Sequence, residues 1–558
     1  MPTIRVFLER SAAQTPGAVA QTFRRGAAWV SHSYREFYDR VVLAAGAAAG
    51  LNVRPRLDRV ALMLENGPQW QEIYLAHAGA GVAVVPLDPK LQLAEMVHIL
   101  RDSQSSVVYL GAKLKDLVLA ALPNLPRLRH VVLVGAPAAH EREEQGRAFW
   151  DYEELLSKAG RALAAAQAWF AGNLPETDDV ASILYTSGTT GQPKGAMLSH
   201  GNFCANVEST LRAVPLYTSD NFFVVLPLFH AYSFTANFMV PIRLGARMSF
   251  AQSIRTVGED IRDLCPSVLM AVPLMAEKMY EKIMPRIRSS FAARLLLALG
   301  LKRLVAKKVI AGLGGKLRFF GVGGAPCPPE VFRGFRRIGF PIIEGYGITE
   351  CAPGVVYGSL DDYTPGYVGR LIPGMSLRIK DPDATGVGEL QVKGPNVMLG
   401  YFNSPGMTAE AFDDGWFRTG DLCAMNPAGY IAIRGRRKAL IVNREGKNIY
   451  PEEVEQCIAR HPLVGDTIVI GYRTAGERGG ERVGVIVTPN VEAVKAAHDG
   501  VEPPWPQIEV ELREAVLRQC SEIAEFKRPR KIDVRRGSLD RTSTQKVRRV
   551  VYQHALDE

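Results

Sequence analysis

Along most of the first 430 positions, short unbroken apolar runs bounded by Gly, Pro or Asp alternate with alanine-rich stretches of helical character. Arg59–Leu64, Gly81–Pro86, Ser106–Leu110 and Phe222–Leu226 are such runs. Continuous rather than alternating hydrophobicity predicts strands covered on both faces, hence parallel sheet flanked by helices. Near Gly388–Val392 and Gly429–Arg434 the pattern turns to short alternating strands, as in a small antiparallel sheet or barrel. Beyond the charged run Arg436–Lys438 it becomes compact α+β: a helix from Pro451, and strands at Thr467–Gly471 and Val483–Val487. The expected architecture is α/β. A large N-terminal domain, 1–436, holds two α/β subdomains and a small β-barrel-like subdomain, and a smaller mobile α+β domain spans 437–558.

Length and charge narrow the class. At 558 residues, 47% apolar and 22% charged, the chain is globular and too long for one core. A net charge of +10 and a pI near 9.2 favour anionic ligands or surfaces. No zinc-finger, basic-zipper or aromatic RNA-binding pattern accompanies them, so nucleic acid is not expected as a partner. The seven cysteines are scattered without C-x-x-C, which fits a reducing cytoplasm. The opening MPTIRVFLERSAAQTP carries Arg5 and Glu9 where a signal peptide needs an apolar core, and no run reaches eighteen apolar residues. A cytoplasmic protein, with peripheral association at the inner face of the membrane as a variant, is the expectation.

The densest chemistry lies in Tyr185–Gly195, YTSGTTGQPKG, straight after the apolar Ala181–Leu184. Its glycines free backbone N–H groups to converge, its hydroxyls add donors and Lys194 adds a cation, so the loop reads as a phosphate clamp. One lysine–phosphate pair at about 4 Å and an effective dielectric near 20 is worth roughly 4 kcal/mol before desolvation. The spacing G-x-x-x-x-G-K-[ST] is not met, which excludes a Walker-type loop. A polar hairpin without function is the competing reading of any isolated Gly/Ser/Thr loop.

The whole eleven-residue stretch closely resembles the phosphate-binding signature of the acyl-adenylate-forming superfamily. Further motifs follow in that family's order: Pro227–His230 (PLFH), Gly323–Pro326 (GGAP), Glu344–Glu350 (EGYGITE), Trp416–Asp421 (WFRTGD), Gly435–Lys438 (GRRK), Gly446–Glu453 (GKNIYPEE) and Arg541–Lys546 (RTSTQK). The resemblance covers nearly the whole chain.

It implies that Thr186, Ser187, Gly188, Thr189, Thr190, Gly191 and Lys194 hold the phosphates of ATP, that Thr349 contacts the α-phosphate and that Glu350 binds Mg²⁺. Gly324, Ala325, Pro326, Glu344, Tyr346 and Gly347 would surround the adenine, with Tyr346 offering a stacking face. Asp421 would accept from both ribose hydroxyls, with Arg436 adding a ribose or phosphate contact; a turn-forming Asp after Gly is the plain alternative. His230 would border the acyl carboxylate, although an isolated histidine after an apolar strand is more often a satisfied core residue.

Lys546 would bridge the carboxylate and α-phosphate during adenylation only. Lys438 would be the hinge, and Gly446 would leave a path for the coenzyme A thiol in the second half-reaction. Ser543-x-x-Lys546 suggests a serine acylase in isolation, but no Ser-Asp-Asn or Lys-Thr-Gly partner accompanies it. Two positions depart from the family pattern: Ala439 follows the hinge lysine, where a charged residue is usual, and Gln545 precedes Lys546, where glycine or leucine is frequent.

The long helical stretch Met275–Lys316 looks most like bacterial long-chain acyl-CoA synthetases, which makes a medium- to long-chain fatty acid the leading substrate. An acyl-carrier-protein ligase is the alternative, and a non-catalytic membrane or partner-binding protein the third reading. Pro285–Arg318 carries nine Lys/Arg and no acid around Leu295–Leu299. That composition suits a packed helix with a solvated basic face, an anionic bilayer, or an acidic carrier protein.

Overall fold

A computed structural model describes residues 1–135, 142–187, 193–445, 447–473, 480–541 and 547–557, with the side chains of Arg142 and Ser187 excepted. The chain forms two compact units, Met1–Ser376 with Val392–Phe417, and Leu377–Gln391 with Arg418–Glu558. The antiparallel segment ahead of residue 436, which the sequence places in the N-terminal domain, thus groups with the C-terminal residues by compactness.

The first unit carries two large sheets. One runs, by position, Arg370–Leu371, Gly354–Tyr357, Ile342–Gly347, Phe319–Gly323, Val268–Ala271, Asn221–Val224, Arg247–Phe250, Val19–Arg25, Ala28–Ser33. Its middle is parallel and its edges antiparallel. The other centres on the parallel strands Val180–Ser187, Ala83–Pro86, Arg59–Met63, Val107–Gly111, His130–Val134 and Arg147–Asp151. On one side it is extended by the antiparallel strands Pro193–Ser199 and Gly400–Tyr401. Val60, Leu62, Val107, Val108, Phe222 and Phe223 are wholly buried, which is why their strands are apolar on both faces. The strand expected over Phe222–Leu226 stops at Val224, ahead of Pro227.

The helical stretch expected over Met275–Lys316 is three helices, Pro273–Ser289, Phe291–Ala298 and Lys302–Ala311. Ser290 ends the first and caps the second, and Gly300, at φ +75°, makes the second break. Among the described residues no helix is long and apolar enough to cross a membrane.

Ser376–Lys380, Gly388–Lys393, Trp416–Met425 and Ile431–Arg436, most of whose residues fall in the second unit, share one sheet. Val464–Tyr472, Arg482–Pro489 and Lys531–Val534 form another, covered by helices Pro451–Ile458 and Trp505–Cys520 around Ile458, Val485 and Leu512. All seven cysteines are free thiols.

Glu344 sits on the strand Ile342–Gly347 and accepts a hydrogen bond from the Cys327 backbone N–H at 3.0 Å. Burial outweighs that donor and pushes its carboxyl up to about 7. The folded state thus holds a proton that the unfolded chain releases near 4.5, so stability falls as pH rises from about 4.5 to about 7 and stays lowered above. The penalty is at most roughly 3 kcal/mol. Glu344→Gln, which keeps the acceptor, is expected to melt close to wild type at pH 5 and several degrees above it at pH 8. A difference that does not change with pH contradicts the assignment.

Candidate active site

In the first unit the strands flanking the glycine-rich loop pair antiparallel, with Lys194 opposite Thr186 and Gly195 opposite Tyr185. Gly188, Thr189, Thr190 and Gly191 lie outside the described residues, as does the side chain of Ser187. Gly195 has a packing reason to be glycine: a Cβ there would come within 2.6 Å of Ile183 Cγ2 and 3.1 Å of the Tyr185 ring. The Tyr185 hydroxyl donates to Asp102 at 2.5 Å, which fixes that ring under the loop's exit.

Strand Gly400–Tyr401 lies beside Pro193–Ser199, with Ala196 opposite Tyr401. The Lys194 ammonium stands 4.3 Å from the centre of the Tyr401 ring, and the Tyr401 hydroxyl donates to Glu350 Oε1 at 2.9 Å. One aromatic side chain thus joins the loop's cation to the carboxylate of EGYGITE. The sequence reading missed Tyr401, for Gly400-Tyr401-Phe402 carries no motif.

Thr349 and Glu350 occupy a single 3₁₀ turn, Thr349–Cys351, and both are half-buried. Buried amides hold that turn. Asn206 Nδ2 donates to the carbonyls of Cys351 (3.2 Å) and Gly354 (2.9 Å), and Asn396 Nδ2 to the same two at 2.8 and 3.1 Å. Thr235 Oγ1 donates to the Ala352 carbonyl at 2.8 Å. Asn206 lies on helix His200–Ala213, which starts where Ser199 ends the Lys194 strand. Ser199 and Asn202 cap it reciprocally, and Asn202 Nδ2 donates to Pro395 O and Val397 O. Strand, helix, acidic turn and the segment leading to Tyr401 are therefore one hydrogen-bonded assembly.

Gly324, at φ +86° and exposed, adopts a backbone that an L side chain would strain, and Ala325 and Pro326 follow it. Glu344 ties this loop to its strand through Cys327, while Tyr346 and Gly347 stand half-buried at the strand's end. At Gly347 a Cβ would meet the Pro353 carbonyl at 2.3 Å, so its glycine serves the turn beside it.

His230 is half-buried, precedes the short helix Ala231–Phe234 and tilts against Phe229 at 4.3 Å. Asn66 fixes its segment by donating to Leu226 O and accepting from Leu228 N, both at 2.9 Å. A π-helical stretch, Thr235–Met239, follows. Such widened turns are frequent at functional sites.

In the second unit Asp421 is buried and lies across the sheet from Arg436, its carboxylate 2.8 Å from Arg436 Nε. The two residues expected to meet a ribose thus meet each other. Thr419 accepts from the Asp421 N–H at 3.0 Å and donates to Leu390 O at 2.7 Å. Arg437 pairs with the buried Glu389 at 2.9 Å, directly before exposed Lys438 in the turn Arg437–Ala439. Gly446 and Lys546 lie outside the described residues. Arg541 and Val547, which bracket residues 542–546, form an antiparallel bridge.

The AMP-binding enzyme family model matches residues 8–402, and the AMP-binding enzyme C-terminal domain model matches 453–546. The long-chain-fatty-acid–CoA ligase FadD15 of Mycobacterium bovis is 30% identical over 473 residues, covering 79% of this chain and 76% of that protein. The medium-chain fatty-acid–CoA ligase of Escherichia coli is 32% identical over 469 residues, covering 79% and 72%. Among solved structures, ATP-bound MatB from Rhodopseudomonas palustris superposes with a TM-score of 0.75 at 26% identity, covering 99% of this chain and 98% of that one. Matched over most of its length, and with the family's motifs in order, the chain belongs to the AMP-binding, acyl-adenylate-forming enzyme family.

Proposed function

We propose that this protein joins a medium- to long-chain fatty acid to coenzyme A in two steps. A carboxylate oxygen attacks the α-phosphorus of ATP and the bond to the β-phosphate oxygen breaks, releasing pyrophosphate and leaving acyl-AMP. The coenzyme A sulfur then attacks the acyl carbon, AMP departs and the thiol proton passes to solvent or base. The observation that carries this reading is the link Lys194–Tyr401–Glu350, which brings a cation and a carboxylate to one edge of a sheet inside an AMP-binding family chain. Fatty acid as the acid is supported by the two ligases named above, at 30 and 32% identity.

The chemistry explains the residue types. Two anions must approach, so fixed positive charge and donors are needed where charge develops on the α-phosphate. Lys194 supplies charge beside the loop and Thr349 a hydroxyl. Glu350 suits Mg²⁺, because one carboxylate with phosphate oxygens is that ion's usual arrangement. When bound, the ion would neutralise phosphate charge. Asp421 accepts from the ribose hydroxyls once Arg436 shares or releases it. Lys546 supplies its ammonium to the acyl–phosphate junction in the first step. Turning about Lys438 withdraws Lys546, and Gly446 then leaves room for the pantetheine thiol.

A panel of acids from acetate to oleate, with benzoate, scored by pyrophosphate release with and without coenzyme A, tests the substrate. Release is expected to be greatest with medium and long chains and to end in acyl-CoA. Preference for acetate or benzoate, or acyl-AMP that accumulates with coenzyme A present, contradicts it. Lys546→Ala is expected to slow adenylation at least ~100-fold, roughly 2.7 kcal/mol, while sparing thioester formation from supplied acyl-AMP. Equal loss of both half-reactions overturns its role.

A further inference from the structure

The basic stretch that follows helix Pro273–Ser289 does not bury all of its apolar residues. Helix Phe291–Ala298 packs Ala293, Leu296 and Leu297 against the core of the first unit, but Phe291, Leu295 and Leu299 point the other way. Their spacing of four places them in one stripe. They are 71, 48 and 63% exposed. After the Gly300 turn the same happens in helix Lys302–Ala311: Val305 and Ala306 are buried, while Leu301 and Leu304 are 44 and 50% exposed. Two short helices joined at a glycine therefore present five large apolar side chains to the outside.

Charge surrounds them. Arg286, Arg288, Arg294, Lys302, Arg303, Lys307, Lys308 and Lys316 are all exposed, and no acidic residue occurs between Pro285 and Arg318. Among the described residues none of the eight has a carboxylate within ion-pair distance; the ninth cation, Arg318, is engaged with Asp220. A packed helix with a solvated basic face predicts exposed lysines and arginines, but it does not predict exposed phenylalanine and leucine in register with them. Lone surface leucines are ordinary; a stripe of this kind inside a cationic collar is not.

We propose that this helical hairpin is a docking surface for an anionic phospholipid bilayer. Exposed apolar side chains with exposed Lys and Arg interspersed along the same two helices match an interface in which acyl chains lie just beneath phosphates. An acidic protein would answer the cations and would still need a pocket for Phe291, Leu295 and Leu299. The inference concerns binding and does not depend on which acid the enzyme activates.

The test is sedimentation of the full-length protein with vesicles of phosphatidylcholine alone and with roughly 30 mol% phosphatidylglycerol. Binding to the anionic vesicles is expected to be at least about tenfold tighter, with most of the difference removed by about 0.5 M NaCl. Phe291→Ser with Leu299→Ser, and separately Lys302→Glu with Arg303→Glu, are each expected to weaken it at least about fivefold. All four side chains are exposed, and an unchanged melting temperature verifies that the fold is intact. Equal binding to both vesicle types, or variants that bind like wild type, overturns the proposal. So does Phe291-dependent binding of purified acyl carrier protein without vesicle binding.

Discussion

The geometry of the first unit's candidate site depends on one aromatic side chain being shared. Tyr401 lies under the Lys194 ammonium with its ring and donates to Glu350 with its hydroxyl, so cation and carboxylate are set by the same residue. Neither contact would hold if the elements could slide. Asn206 and Asn396 prevent this by satisfying the carbonyls of Cys351 and Gly354 from two directions. Each carbonyl accepts from both amides, so removing one asparagine leaves the other's donor in place, and only loss of both would leave the Cys351 and Gly354 carbonyls without these side-chain donors, at a cost of about 1–3 kcal/mol each. The polar core here specifies position more than it adds stability.

This explains which parts of the molecule could be read from the chain alone. Strands such as Arg59–Met63 and Asn221–Val224 announce themselves because both faces are covered, leaving no polar alternation to obscure them. Glycine positions were visible too, although their reasons were not. Gly324 needs its left-handed backbone, whereas Gly195 and Gly347 are glycine because Ile183, Tyr185 and Pro353 leave no room for a Cβ. Tyr401 was illegible because its meaning is a register: a two-residue strand finds its partner some 200 positions earlier. Asn206 and Asn396 were illegible for a related reason, since nothing local distinguishes a buried asparagine from a solvated one. The ion pair Asp421–Arg436 was half legible, each residue marked by its motif and their mutual contact hidden in the pairing of two strands.

The helical stretch ahead of GGAP was legible in composition and misleading in form. Its apolar residues divide between the core and the outside, and only the placement of Ser290 and Gly300 decides which leucines fall on which side. Charge and hydrophobicity that look like one packed helix in the sequence become a collar and a stripe once the chain turns twice. A basic chain of pI near 9.2 thus carries cations in two distinct settings, Lys194 beside the glycine-rich loop and the exposed lysines and arginines of the helices after Ser289.

The proposed joint action of Lys194 and Glu350 on one nucleotide rests on Tyr401 holding them together. A double-mutant cycle of Lys194→Met and Glu350→Gln, read as kcat/KM for ATP in acid-dependent pyrophosphate exchange, measures this directly. The account predicts a coupling of at least about 1 kcal/mol between the two substitutions. Effects that add to within about 0.3–0.5 kcal/mol would show two independent sites and contradict it.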